Sequence, residues 1–189
     1  MNIKILTLSL FTIFSITSLA QETKPKVKEV GITFYNFQNY GAMFKIGQEN
    51  KLWRFRVLSG NINSRASGDL TSNAFGFNIS AGRERRKAVS DKLNFIYGIE
   101  LSSGYRTNVT KDLSRKITQK SISLGFTGVI GFNYFINKNL FVGGELLPIA
   151  QFVRTTNTSS LALEQQPRQF QYNFGFNNNS ILLSVGIKF

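Results

Sequence analysis

The feature that most constrains this chain is an alternation of apolar and polar residues, two residues per period, that recurs along most of its length. It is cleanest at Ser180–Phe189, S-I-L-L-S-V-G-I-K-F. There Ile181, Leu183, Val185, Ile187 and Phe189 are apolar, and the residues between them are mostly small or polar. A strand sends residues i and i+2 to the same side, so this stretch has one greasy face and one nearly polar face. Its ten residues also match the length a tilted strand needs to cross a bilayer.

Composition narrows the choice. The chain carries 18 Phe, and 13% of its residues are aromatic, yet its mean hydropathy is close to neutral. In a soluble domain so much Phe would gather in apolar core segments. Here the Phe alternate with polar residues, as in a barrel with a lipid-facing outside and a polar inside. Past the first 20 residues no uninterrupted apolar run reaches the ~18 residues of a spanning helix. With no Cys there is no disulfide scaffold and no thiol chemistry. With no His the usual general base and the commonest metal ligand are missing. Neither a metal site nor a cofactor is expected.

Residues 1–20 read as a signal peptide: Lys4 gives a positive start, Ile5–Leu19 is apolar apart from Ser and Thr, and Ser18-Leu19-Ala20 places small residues at the cleavage site. Residues 21–27 form a polar lead, and 28–189 the barrel domain. The formal net charge is +13. For an exported chain the expected anionic partner is lipopolysaccharide phosphate or a surface polymer rather than nucleic acid, with solvated loops as the plain alternative.

Eight strands are predicted: Lys28–Asn36, Tyr40–Gly47, Leu52–Gly60, Ala74–Gly82, Lys92–Arg106, Ile117–Tyr134, Leu140–Arg154 and the closing Ser180–Phe189. The short connections Gln48–Lys51, Arg83–Asp91 and Phe135–Asn139 fall on one rim. The polar loops Asn61–Asn73, Thr107–Lys116 and Thr155–Asn179 fall on the other. Phe170, Tyr172, Phe174 and Phe176 alternate on even numbers, opposite to the closing strand. Either a bulge at Asn177-Asn178-Asn179 reverses the facing or a separate hairpin projects there.

The signal segment, the run F-I-N-K-N-L-F-V-G-G-E-L and the terminal L-L-S-V-G-I-K-F together resemble the small OmpA-like or opacity-type outer-membrane barrels. The resemblance implies an all-β, eight-stranded antiparallel up-and-down transmembrane barrel in the outer membrane of a Gram-negative bacterium. It also implies a monomer, with a structural or surface-interaction role. Leu183, Val185, Ile187 and Phe189 would be the signal read by the barrel-assembly machinery. The competing expectation is a secreted lipocalin-like barrel with an apolar ligand, whose greasy face would point inward.

An eight-stranded interior is filled by side chains, so no open pore is expected. Lys45, Arg54, Arg56, Glu100 and Glu145 fall on the polar parity, and the two carboxylates are expected to pair with the arginines. An acid/base role for Glu100 and Glu145 is disfavoured because no polymer could enter, and outer-membrane enzymes of this size resemble one another in needing a His. Arg65, Arg106, Lys111, Arg115, Lys116, Arg154 and Arg168 lie in or beside the long loops, where they could hold lipopolysaccharide phosphates. Trp53, Tyr40, Tyr97, Phe132 and Tyr134 suit interfacial girdles. Replacing Glu100 with Gln is expected to lower the melting temperature, and an unchanged melting curve counts against the pairing.

Overall fold

The computed structural model describes residues 26–36, 39–59, 63–67, 70–112, 115–160, 168–176 and 180–189. The predicted signal peptide therefore lies outside the described residues, as does all of the polar lead except Lys26 and Val27. Among the described residues eleven strand segments occur: β1 (Val27–Asn36), β2 (Asn39–Gln48), β3 (Lys51–Ser59), β4 (Asn63–Ser67), β5 (Leu70–Ala88), β6 (Leu93–Lys111), β7 (Lys116–Phe135), β8 (Leu140–Leu146), β9 (Ile149–Ser159), β10 (Gln169–Gly175) and β11 (Ile181–Lys188). All pairings are antiparallel. They run from β1 through β2, β3, β5, β6 and β7 to β8, then through β11 back to β1, which closes an eight-stranded ring.

The remaining segments lengthen the wall at one end. β4 continues the β3 track on β5, and β9 continues the β8 track on β7. Pro148 separates β8 from β9; lacking an N–H, it offers only its carbonyl, which accepts from the Gly128 amide at 2.8 Å. β10 pairs with β9 as β11 pairs with β8, so Gln169–Gly175 follows the track of the last strand. Between the pairs Gly175↔Ile149 and Ile181↔Leu146 the last strand holds three residues more than its partner. An odd excess reverses the facing. The residues expected to make that reversal, 177–179, lie outside the described ones.

Several expected loops are strand. The stretch Asn61–Asn73 contains β4 and the start of β5, Thr107–Lys116 contains the end of β6, and Thr155–Asn179 contains the end of β9 and all of β10. The expected connector Arg83–Asp91 is β5 as far as Ala88, leaving only residues 89–92 as a turn. Apart from β10, these stretches are largely polar on both faces. They lack the apolar alternation that reveals a strand, although their backbones still pair.

The apolar face points out. Val30, Ile32, Phe55, Val57, Ile79, Leu101, Leu124, Leu183, Val185 and Ile187 are all exposed, while the opposite parity is buried. This is the reverse of the facing a lipocalin-like cup requires. The inward face is not wholly polar. Met43 and Phe141 meet across the inner wall because glycines stand between them, in the order Met43–Gly31–Gly186–Phe141 through β2, β1, β11 and β8. A Cβ on Gly186 would lie 2.5 Å from the Phe141 ring, so the ring occupies the space a side chain would take. Phe135 completes this cluster at the rim of short turns.

Phe126, 60% exposed on the outer face, tests the facing. Phe126→Arg is expected to cost about 2–4 kcal/mol in a bilayer. On a water-exposed surface the change would stay within about 0.5 kcal/mol. Urea unfolding of the vesicle-inserted protein measures the difference.

Candidate functional site

The alternation that puts Phe and Leu outward puts ionisable groups inward on the same strands. Glu29 on β1, Lys45 on β2, Arg54 and Arg56 on β3, Glu84 and Arg86 on β5, Glu100 on β6 and Glu145 on β8 are all buried. Four of these are cations and four are carboxylates, so the cluster carries no formal net charge.

Arg54 stands at its centre. Its guanidinium donates to Glu84 at 2.8 Å and to Glu145 at 2.6 Å, and it also pairs with Glu100. β3 and β8 lie on opposite sides of the ring, so the contact with Glu145 spans the lumen. Glu84 takes three cations: besides Arg54 it accepts from Lys45 Nζ at 2.7 Å and from Arg86 Nε at 2.6 Å. Arg86 in turn holds Glu29 with a two-pronged contact of 2.6 and 2.7 Å. Arg56 pairs with Glu100 and donates to the Tyr35 hydroxyl at 3.0 Å. Gly82 stands between Arg54 and Glu100 in register. A Cβ there would lie 2.8 Å from Cγ of Glu100, so the glycine leaves room for the charged pair to meet over it.

All five expected interior residues, Lys45, Arg54, Arg56, Glu100 and Glu145, thus sit in one network. Sequence reasoning misses its other three members, Glu29, Glu84 and Arg86. Glu84 and Arg86 fall in the expected connector, although their parity continues that of Asn78, Ser80 and Gly82. Following that parity past Gly82 is the signal that finds them.

On the long-loop side of the network the lumen widens into a cavity of about 470 Å³, floored by Arg56 and Tyr35 and walled by Asn78, Ser102, Ser123 and Gln151. A second space of about 490 Å³ lies near Arg106, Asn108, Arg115 and Gln119. The bases expected in external loops are therefore dispersed. Arg106 lines both spaces, and Arg115 lines the second while donating to Ser159. Lys111, Lys116 and Arg154 are exposed on β6, β7 and β9, and Arg168 is exposed beside β10. Arg65 belongs to β4, and its side chain lies outside the described residues.

At the seam, Leu183, Val185 and Ile187 face outward on β11, and Phe189 exchanges two backbone hydrogen bonds with Lys28, at 2.9 and 3.0 Å. The expected girdle residues Trp53, Tyr40, Tyr97, Phe132 and Tyr134 are all exposed.

No family model matches the chain, and no curated protein matches it in sequence. Its fold is similar to the crystal structure of a major outer membrane protein from Thermus thermophilus, with a TM-score of 0.59 over 88% of this chain and 100% of that one. The two are 9% identical, so what they share is the outer-membrane β-barrel fold.

Removing one partner from a buried ion pair typically costs about 3–5 kcal/mol, because the other charge is left uncompensated. Glu84→Gln takes a partner from three cations and is expected to lower the urea midpoint further than Glu100→Gln, which takes one from two. Adding Lys45→Met to Glu84→Gln restores neutrality and is expected to recover part of the loss; a purely additive double variant would refute the coupling.

Proposed function

We propose that the protein is an integral outer-membrane β-barrel with a closed interior, exported by its N-terminal segment and acting as a monomer in a structural or surface-interaction role. One observation carries this reading: a continuous apolar outer face surrounds a neutral ionic core. That arrangement is unfavourable in water, where the greasy face would be exposed, and favourable in a bilayer, where it meets hydrocarbon.

The rim of short turns, at residues 49–50, 89–92 and 136–139, would face the periplasm, and the longer walls would face outward. Eight strand tracks and this division of connections support placement among the small OmpA-like or opacity-type barrels. Lys111, Lys116 and Arg154, joined by Lys120, are exposed near the long-loop end and suit lipopolysaccharide phosphates. Arg106 and Arg115, which line the lumen, are better suited to the solvated vestibule. The outward apolar residues of β11 suit recognition by the barrel-assembly machinery.

A non-catalytic role is favoured because the chain has no His or Cys, and Glu100 and Glu145 are both engaged by Arg54. No observation favours nucleic acid as a partner.

The test is electrophoresis of the outer-membrane fraction with and without boiling in detergent. A folded barrel resists the detergent and is expected to change apparent mass on boiling. Recovery in the soluble fraction with no shift would refute the membrane reading.

A further inference from the structure

The end of β5 that reads as a connector in the sequence also carries a second set of charges, on its other face. Arg83, Arg85 and Lys87 alternate with the buried Glu84 and Arg86, and all three are exposed. Lys51 on β3 stands in register with Arg85, and Trp53 with Arg83. The Arg83 guanidinium lies 4.7 Å from the Trp53 ring centroid. Lys28 on β1 extends the row through Ile46 to Trp53. Among the described residues, none of these five cations takes part in an ion pair.

On the strands the patch is one-sided. On the opposite wall, near the same rim, the outward strand residues are Phe132, Tyr134, Val142 and Ile187, which carry no charge, and the exposed Lys138 lies beyond them in the turn. An outward arginine is strongly disfavoured at the bilayer midplane and tolerated at the level of the headgroups. Three alternating cations therefore set this end of β5 among lipid headgroups. Tyr97 in register with Arg85, and Phe95 in register with Lys87, supply the aromatic surface that lies against the upper acyl chains.

We infer that the outer face of β1, β3 and β5, near the short-turn rim, is a binding patch for anionic glycerophospholipid. Its guanidinium and ammonium groups engage the phosphodiester headgroups of the adjacent leaflet. Phosphate is the complementary chemistry for exposed guanidinium groups, and juxtamembrane bases are attracted to anionic lipid at such a surface. The inference rests on the membrane reading above and adds a lipid class and a location to it. The bases considered for lipopolysaccharide lie at the other end of the barrel.

Trp53 is the chain's single tryptophan and lies within the patch, so it reports which lipid sits there. The full chain is folded into phosphatidylcholine vesicles containing an equal fraction of either brominated phosphatidylglycerol or brominated phosphatidylcholine, and quenching of Trp53 is compared. The expected preference for phosphatidylglycerol is about fivefold per cation engaged, weakened by salt.

Arg83→Gln/Arg85→Gln/Lys87→Gln, which leaves Lys28 and Lys51 in the patch, is expected to lower the ratio to a small part of the wild-type value. Lys51→Gln/Lys87→Gln, which leaves Arg83 on Trp53, is expected to reduce it. Equal quenching in a wild-type barrel that still shifts on boiling overturns the patch alone, as does a triple variant that keeps the full preference. A wild-type chain that shows no boiling shift in these vesicles overturns the membrane reading and the patch with it.

Discussion

The contact from Arg54 to Glu145 is the one on which the rest of the interior turns. It crosses the lumen between opposite walls, and its guanidinium also holds Glu84 and Glu100. A charge enclosed by a narrow barrel cannot be hydrated as it would be in bulk water, so each ion needs an opposite partner and well-directed hydrogen bonds. The network meets the demand for opposite charge with equal numbers of cations and carboxylates drawn from β1, β2, β3, β5, β6 and β8, while Arg54 Nε, Arg56 Nε, Glu100 Oε1 and Glu145 Oε1 make no hydrogen bond among the described residues. Six of the eight strand tracks are thereby tied through side chains as well as through their backbones. The wall closes around the network, and the network fills the lumen at its own level.

Packing differs between the two ends. Toward the short turns, Met43, Phe135 and Phe141 seal the lumen, aided by glycines that let large side chains from separated strands meet. Toward the long walls, small hydroxyl and amide side chains leave open, polar space. The closed end suits anchoring and stability. The open end gathers varied polar groups within the tall walls of β4, β5, β6, β7, β9 and β10.

Much of this fold is legible in the residues. Ile181 to Phe189, the Phe-bearing run around Phe75 to Ile79, and the long alternations of β6 and β7 announce paired strands facing two environments. The run R-E-R-R-K-A does not. Both of its faces are charged, so it carries no apolar rhythm, and its composition resembles that of a solvated turn. Its inner charges, Glu84 and Arg86, become recognisable only when β5 is laid beside β3 in register. The same holds for Asn63–Ser67, whose backbone pairs with β5 although its residues are polar or small.

The sequence by itself determined the period of two residues, and with it an all-β chain having one apolar and one polar face. It also determined that His and Cys chemistry is absent. Periodicity is a local property, legible within a few residues of any strand. Tertiary structure decided which face looks outward and which charges meet. Both depend on ring closure and register between segments far apart in the chain, as with Arg54 and Glu145, separated by 91 positions. No local rule assigns such a pair; it is fixed only when eight tracks close and the buried ions find their partners.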